Sequence, residues 1–245
     1  MKKILTLNCW LLPRPISLDA PKRLKKITNL IKEENPDIIA LQEVWLISYV
    51  KVLAEELKDY AFFFTDNTVF NTSGLVTAVK RIHYNVVKFE QEFFSHSSTL
   101  IERLSRKGFH KVTLPGITVV NTHLFDGNYG KCAELKNTTA GACTIHQLGE
   151  ILLLKESSLV VGDLNIDQEF LSSLPLFKHN FSYQASKKPT VSVKNEYTNA
   201  RWNRTVVDSK FDYILPTIRS GLSIIEEILD DHILSDHYPV IGKIV

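Results

Sequence analysis

Ser158-Leu-Val-Val-Gly-Asp163-Leu-Asn165 is the stretch on which the fold turns. Its apolar, β-branched run reads as a buried strand, and a carboxylate and an amide follow at its end. An ionised group joined to a strand that wants burial is costly unless it is paired, hydrogen-bonded or bound to a cation. The same construction recurs along the chain. Lys3-Ile-Leu-Thr-Leu-Asn-Cys9 carries Asn8 near its end, Asp37-Ile-Ile-Ala-Leu-Gln-Glu43 ends on Glu43, and Ile117-Thr-Val-Val-Asn-Thr-His123 ends on His123. Asp212 opens the apolar segment Phe211–Leu215, and Asp236-His237 immediately precedes Tyr238-Pro-Val-Ile241. One such residue is ordinary, because Asp and Asn favour turns. Its repetition predicts that the strand ends converge on one rim, where carboxylates would repel one another without a cation. Carboxylate and amide oxygens without thiolates favour a hard ion, Mg²⁺ or Mn²⁺, over Zn²⁺.

Outward from these strands, Asp19 and Pro21 mark a helix start, Leu24, Ile27 and Ile31 recur at helical spacing, and Asn35-Pro36 stops the element. A second helix is expected over Ile47–Leu57, with Val50 and Leu53 on one face. Shorter strands are expected over Ala61–Thr65, Gly74–Lys80, Asn85–Phe94 and Gly108–Leu114, with a turn at Pro115-Gly116. A polar loop from Phe125 to Cys143 leads into a helix over Ile145–Leu154, and Tyr238–Val245 closes the chain as a strand. No repeat, linker or compositional break divides it. The pattern predicts one domain over residues 1–245, with two sheets packed face to face and helices outside.

Bulk composition excludes several classes. With 44% hydrophobic and 23% charged residues the chain can build a packed core, and a formal charge of +2 removes the electrostatic argument for a dedicated nucleic-acid binder. Cys9, Cys132 and Cys143 are an odd set, so no complete disulfide framework exists; Cys132 and Cys143 would pair only in an oxidising compartment. Lys2-Lys3 before Ile4–Leu12 has the outline of a signal peptide, but Asn8 interrupts the apolar run and no small-residue cleavage site follows. No stretch approaches the roughly 20 apolar residues of a membrane span. A cytoplasmic monomer, peripheral to membranes at most, is expected.

Taken in order, Leu-Asn8-Cys-Trp, Leu-Gln-Glu43-Val, Asn-Thr-His123-Leu, Gly-Asp163-Leu-Asn165, Asp212-Tyr-Ile-Leu and Ser-Asp236-His237-Tyr-Pro-Val resemble the motifs of the endonuclease/exonuclease/phosphatase superfamily across nearly the whole chain. The resemblance implies an α/β four-layer sandwich of two mixed β-sheets flanked by helices. It also implies roles by position. Glu43 would be the main metal ligand, assisted by Asn8 and Asp236. His237 would be the general base, held in its tautomer by Asp212, while Asp163 would orient the nucleophile and Asn165 and His123 would bind phosphoryl oxygens. A histidine titrating near neutrality suits proton removal from water.

Within the superfamily, Asn8-Cys-Trp-Leu-Leu-Pro, Gln42-Glu-Val-Trp45, Arg106-Lys-Gly-Phe109, Gly130-Lys131 and Gln147-Leu148 are most similar to the neutral sphingomyelinase branch. That branch implies a membrane-lipid headgroup as substrate, with phospholipase C-type hydrolysis of sphingomyelin. Lys107, Trp10 and Trp45 are candidate substrate contacts. Nucleic acid is the alternative substrate and a phosphoinositide the third. No exposed hydrophobic hairpin for gripping a bilayer is evident, and Phe62-Phe-Phe64 and Phe93-Phe94 fit core positions better. The segment around Arg201, Trp202 and Arg204 reads as a solvated basic loop.

Overall fold

The computed structural model describes residues 2–13, 15–86, 88–97, 99–126, 139–154, 158–184, 186, 188–202 and 207–245. Strand β1 (Lys3–Leu11) is followed by helix α1 (Ala20–Glu34), β2 (Ile38–Val44) and α2 (Ile47–Glu56). Then come β3 (Tyr60–Phe63), the small hairpin β4 (Asp66–Asn67) and β5 (Phe70–Asn71), β6 (Val76–Lys80), β7 (Lys88–Phe93), α3 (Leu100–Ser105), β8 (Gly108–Leu114) and β9 (Ile117–His123). The second half holds α4 (Thr139–Leu152), β10 (Leu159–Asp163), α5 (Gln168–Ser173), α6 (Pro175–Asn180), α7 (Glu196–Trp202), β11 (Asp212–Pro216), β12 (Ile224–Ile228) and β13 (Val240–Ile244).

The strands form a six-stranded sheet ordered β12-β13-β1-β2-β6-β3 and a five-stranded sheet ordered β11-β10-β9-β8-β7. Both are mixed. β1 and β2 are parallel, as are β9 and β10, and the other pairs are antiparallel. Parallel neighbours need a crossover, which α1 supplies in the first sheet and the segment containing α4 in the second. Side chains alternate across each strand, and the alternation sorts the core into layers. Ile4, Ile38, Val119, Val161, Ile214 and Val240 fill the space between the sheets. Leu5, Leu7, Ile39 and Leu41 face α1 and α2, meeting Leu24, Ile27, Ile31, Val50 and Leu53. Val120, Val160, Tyr213 and Leu215 face the other way, onto Leu148, Ile151, Leu171 and Phe177.

The interior turns polar toward one end. Gln42 Nε2 donates across the sheets to Asn121 Oδ1 at 2.8 Å, Asn121 Nδ2 donates to Thr77 Oγ1 at 3.0 Å, and Thr77 Oγ1 lies 3.1 Å from His110 Nδ1. Fully buried polar groups are costly unless bonded, so these bonds across the layer favour one registration of one sheet on the other. Gly162 marks a close approach: at φ 132° it lies where a Cβ would sit 2.1 Å from the Thr122 carbonyl oxygen. Glycine there lets β10 close on β9 with Asp163 level with His123.

Several expectations shift by a few residues. β1 runs on to Leu11, and α4 begins at Thr139 rather than Ile145. α1 ends as expected on Asn35, at φ 47°, whose N–H bonds to the Ile31 carbonyl. Asp19 precedes the helix but makes no side-chain cap. Phe62 and Phe64 pack on the core, Phe63 stacks on Phe89, and Phe94 lies against Phe109. Cys132, Gly130-Lys131 and Arg204 lie outside the described residues, and with them the question of a Cys132–Cys143 bond. No helix among the described residues is long and apolar enough to cross a membrane.

Candidate active site

Neighbouring strands put their ends side by side. Asp163 pairs in register with Asp212 on one side and His123 on the other, and Asn8 pairs with Gln42, next to Glu43. Because the two sheets are packed face to face, these ends share one rim around a cavity of about 280 Å³ lined by Asn8, Glu43, Trp45, Lys107, His123, Asp163, Asn165, Arg201 and His237. A wider groove around the stacked His96 and His146 rings holds none of the strand-end residues.

The buried groups form a connected set. Asn8 Nδ2 donates to Glu43 Oε1 at 3.1 Å and to Asp163 Oδ2 at 2.9 Å, so one amide bridges two carboxylates from opposite sheets. His237 Nδ1 lies 2.8 Å from Asp212 Oδ2, while its Nε2 lies 3.9 Å from Asp163 Oδ2. A carboxylate only accepts, so Nδ1 carries the proton toward Asp212 and Nε2 faces the rim. Asn165, at φ 50°, donates its backbone N–H to Asp163 Oδ1 at 2.8 Å and its Nδ2 to the Leu124 carbonyl at 3.0 Å. Lys107 Nζ donates to that same carbonyl at 2.7 Å and lies 3.1 Å from His123 Nε2, which must accept from it.

Titration follows from this crowding. Burial alone would lower His237, but Asp212, Asp236 and Asp163 outweigh it and lift the imidazole to about 10. The near-neutral histidine expected from the sequence is therefore not what these carboxylates produce by themselves. Burial pushes Asp163 up to about 7, with Asp212 adding to the rise and His237 and Asn8 opposing it. Burial would also raise Glu43, yet Arg201, His123, the Asn8 amide and Lys107 hold it at about 2. His123 falls well below its ordinary value through burial and the nearby Lys107. Of the active-site carboxylates, Glu43 and Asp212 each keep a buried oxygen, Oε2 and Oδ1, with no hydrogen-bond partner among the described residues. Bare buried carboxylate oxygen is what a hard cation would satisfy, so the donor set fits such an ion.

Each strand-end residue singled out from the sequence reaches this rim. Trp45 lines the cavity, whereas Trp10 is buried with its ring centroid 5.3 Å from Arg201 Cζ. Arg201 is the correction. Far from a solvated loop, it donates from Nη1 to Asp236 Oδ2 at 2.8 Å and from Nη2 to Glu43 Oε1 at 3.1 Å. Asn195-Glu-Tyr-Thr-Asn-Ala-Arg201 has no apolar stripe to announce α7, and nothing local links Arg201 to carboxylates on β2 and before β13. Lys210 is likewise drawn inward, onto Glu226 and 5.1 Å from the Tyr213 ring centroid.

Two mixed sheets packed into a four-layer α/β sandwich, with carboxylates, amides and imidazoles at one end, define a class of hydrolytic enzyme scaffold. The chain belongs to the Endonuclease/Exonuclease/phosphatase family, whose model matches residues 5–237 and whose members are phosphoric diester hydrolases. A Caenorhabditis elegans protein described as a neutral sphingomyelinase is 34% identical over 77 residues, covering 30% of this chain and 18% of that protein's length. Among solved structures, SmcL superposes with a TM-score of 0.77 at 20% identity over 98% of both chains. Sphingomyelinase C from Streptomyces griseocarneus gives 0.74 at 19% over 98% of both. D. rerio TDP2 carrying 14 humanizing mutations gives 0.67 at 18%, over 100% of this chain and 98% of that one. At such identities these likenesses establish the fold.

Proposed function

We propose that the protein is a divalent-metal-dependent phosphodiesterase of sphingomyelinase type, hydrolysing sphingomyelin to ceramide and phosphocholine. The observation that carries the phosphodiesterase reading is the His237–Asp212 dyad beside Asp163, which Asn8 links in turn to Glu43. Asp163, Asp212 and His237 also bring ligand atoms within 4.8 Å of one another. Glu43 and Asn8 are the better primary ligands, because Asp212 Oδ2 and His237 Nδ1 already satisfy each other at 2.8 Å. A bound Mg²⁺ or Mn²⁺ supplies Lewis-acid stabilisation of charge on the phosphoryl and leaving oxygens.

The chain's own groups do the rest. His237 Nε2 takes the proton of the attacking water, and Asp212 holds the imidazole in the tautomer that leaves Nε2 free to do so. Asp163, next to Nε2, orients that water. Asn165 and Lys107 present hydrogen-bond donors and positive charge to the phosphoryl oxygens, where negative charge accumulates in the transition state, and His123 Nε2, accepting from Lys107, holds the ammonium in place. A cation held by Asp236 would oppose that carboxylate's share of the rise in His237.

Two observations favour a lipid over a nucleic acid. The net charge of +2 gives no broad phosphate-binding field. Leu100 and Leu104 on α3 are 71% and 73% exposed, and Thr99 and Ser105 at either end of that helix line the cavity. Apolar side chains at the mouth supply the bilayer contact that the sequence did not disclose. Phosphocholine release from sphingomyelin vesicles, set beside nicking of supercoiled DNA and phosphate release from inositol lipids, tests the assignment. DNA nicking without phosphocholine release would transfer it to a nuclease.

A further inference from the structure

Arg201 occupies the place where the ligand set assigned by resemblance carries its charge. That set is Glu43, Asn8 and Asp236, and the guanidinium spans its two carboxylates, 3.1 Å from Glu43 Oε1 and 2.8 Å from Asp236 Oδ2. The other oxygen of Asp236 accepts from Ser235 Oγ at 3.0 Å. Glu43 Oε2 is open to an ion with the guanidinium in place, but Asp236 has Oδ2 engaged by Arg201 and Oδ1 by Ser235, so an ion that draws on both carboxylates competes with the guanidinium at Asp236 and is repelled by its charge.

The bridge is built into the fold. Arg23, fully buried, donates to the Cys9 carbonyl at 2.6 Å and the Trp10 carbonyl at 2.7 Å, and its Cζ lies 5.2 Å from the Trp10 ring centroid. Arg201 lies 5.3 Å from that same ring. Arg23 also lies 5.3 Å from the ring of Tyr197, which shares α7 with Arg201. Trp10 at φ 45° and Glu43 at φ 55° both hold left-handed backbone, a strained conformation for such side chains. One buried arginine thus fixes the aromatic platform, and the platform carries the second arginine onto the carboxylates.

We propose that Arg201 is a resident counter-cation and that divalent-ion binding is an exchange. The ion takes over Glu43 and Asp236, and the guanidinium turns into the cavity it already lines to meet the anionic phosphoryl group of the substrate. The inference rests on the metal-dependent reading above. It makes ion and phosphate binding mutually reinforcing, because a displaced guanidinium gains an anion when phosphate enters and phosphate gains a donor when the ion enters.

Calorimetric titration of Mg²⁺ into the wild-type protein, Arg201→Gln and Arg201→Lys, each with and without inorganic phosphate, tests the exchange. Circular dichroism establishes that each variant is folded. Arg201→Gln removes the competitor and is expected to tighten Mg²⁺ binding at least tenfold. Arg201→Lys keeps the charge, but a compact ammonium does not reproduce the two-pronged bridge, so binding tightens severalfold there too. Inorganic phosphate is expected to tighten Mg²⁺ binding severalfold in the wild type and clearly less in Arg201→Gln, where only the direct attraction of ion and phosphate remains. Tightening in Arg201→Gln with Arg201→Lys equal to wild type would show a charge effect alone and overturn the exchange. Unchanged or weaker binding in both variants overturns it as well while leaving the metal reading intact. Should Arg201→Gln fail to fold, Arg201→Lys and the phosphate effect on the wild type decide. No Mg²⁺ binding by any of the three proteins overturns the metal reading and the exchange together.

Discussion

Replacing Asp212 with Asn exchanges one buried oxygen for nitrogen and should cost the enzyme most of its turnover. Asp212 is fully buried, His237 is 4% exposed, and 2.8 Å separates Oδ2 from Nδ1. Among the groups that raise His237 to about 10, Asp212 comes first. If the new amide presents its oxygen, the tautomer survives but the bond becomes neutral. That change weakens a charge-assisted bond of about 1.5–3 kcal/mol to about 0.5–1.5 kcal/mol, roughly tenfold in rate. If the amide presents its NH₂, Nδ1 must accept, the proton moves to Nε2, and the base is lost. Asp212 Oδ1 has no hydrogen-bond partner among the described residues to hold the carboxamide the other way. General-base catalysis supplies roughly 10²–10⁴-fold, so kcat for phosphocholine release should fall by about that factor with KM nearly unchanged. Without divalent ions, NMR titration should also show the His237 pKa displaced downward. A variant with kcat within about threefold of wild type would refute the dyad as the catalytic base.

In EDTA the folded protein should lose stability as pH rises. His237 is raised from 6.5 to about 10, so its contribution is complete below pH 6.5 and lost on passing 10; Asp163, raised from 3.8 to about 7, acts in the same direction at lower pH. Glu43, lowered from 4.5 to about 2, opposes this only at acid pH, where its contribution is lost as pH falls through 2. Melting temperatures that stay flat or rise between pH 7 and 10 would contradict this. Gly162→Ala places a Cβ 2.1 Å from the Thr122 carbonyl oxygen and should destabilise the protein by several kcal/mol, about 3 or more, read by urea unfolding. A loss under 1 kcal/mol would mean that β9 and β10 can part freely. Leu100→Ser with Leu104→Ser should cut hydrolysis of vesicles at least fivefold while sparing a short-chain soluble substrate. Equal loss on both substrates would place α3 in chemistry rather than docking.

How much of this was legible in the sequence depends on the kind of contact. β8 and β9 carry the boundaries expected of them, because their apolar runs and the Pro115-Gly116 turn are local signals. The strand-end residues were legible for the same reason: a charged or amide group at the end of a buried strand is conspicuous without coordinates. α3, α5, α6 and α7 escaped because six- and seven-residue helices contain too few turns to show a stripe. β12 escaped because Ile224-Ile-Glu-Glu-Ile228 is an edge strand with its acidic pair in mid-run. Arg201 is opaque in the sequence for a different reason. Its meaning lies in carboxylates that are 158 and 35 residues away in sequence, which only the fold brings within reach.

The central claim is that Glu43 holds a divalent ion on which phosphodiester hydrolysis depends. Its most direct measurement is phosphocholine release from sphingomyelin vesicles by wild-type protein and Glu43→Gln, in Mg²⁺ and in EDTA. Release is predicted for the wild type in Mg²⁺ alone, abolished by EDTA and by the substitution. Turnover that survives in EDTA, or in Glu43→Gln, would contradict it.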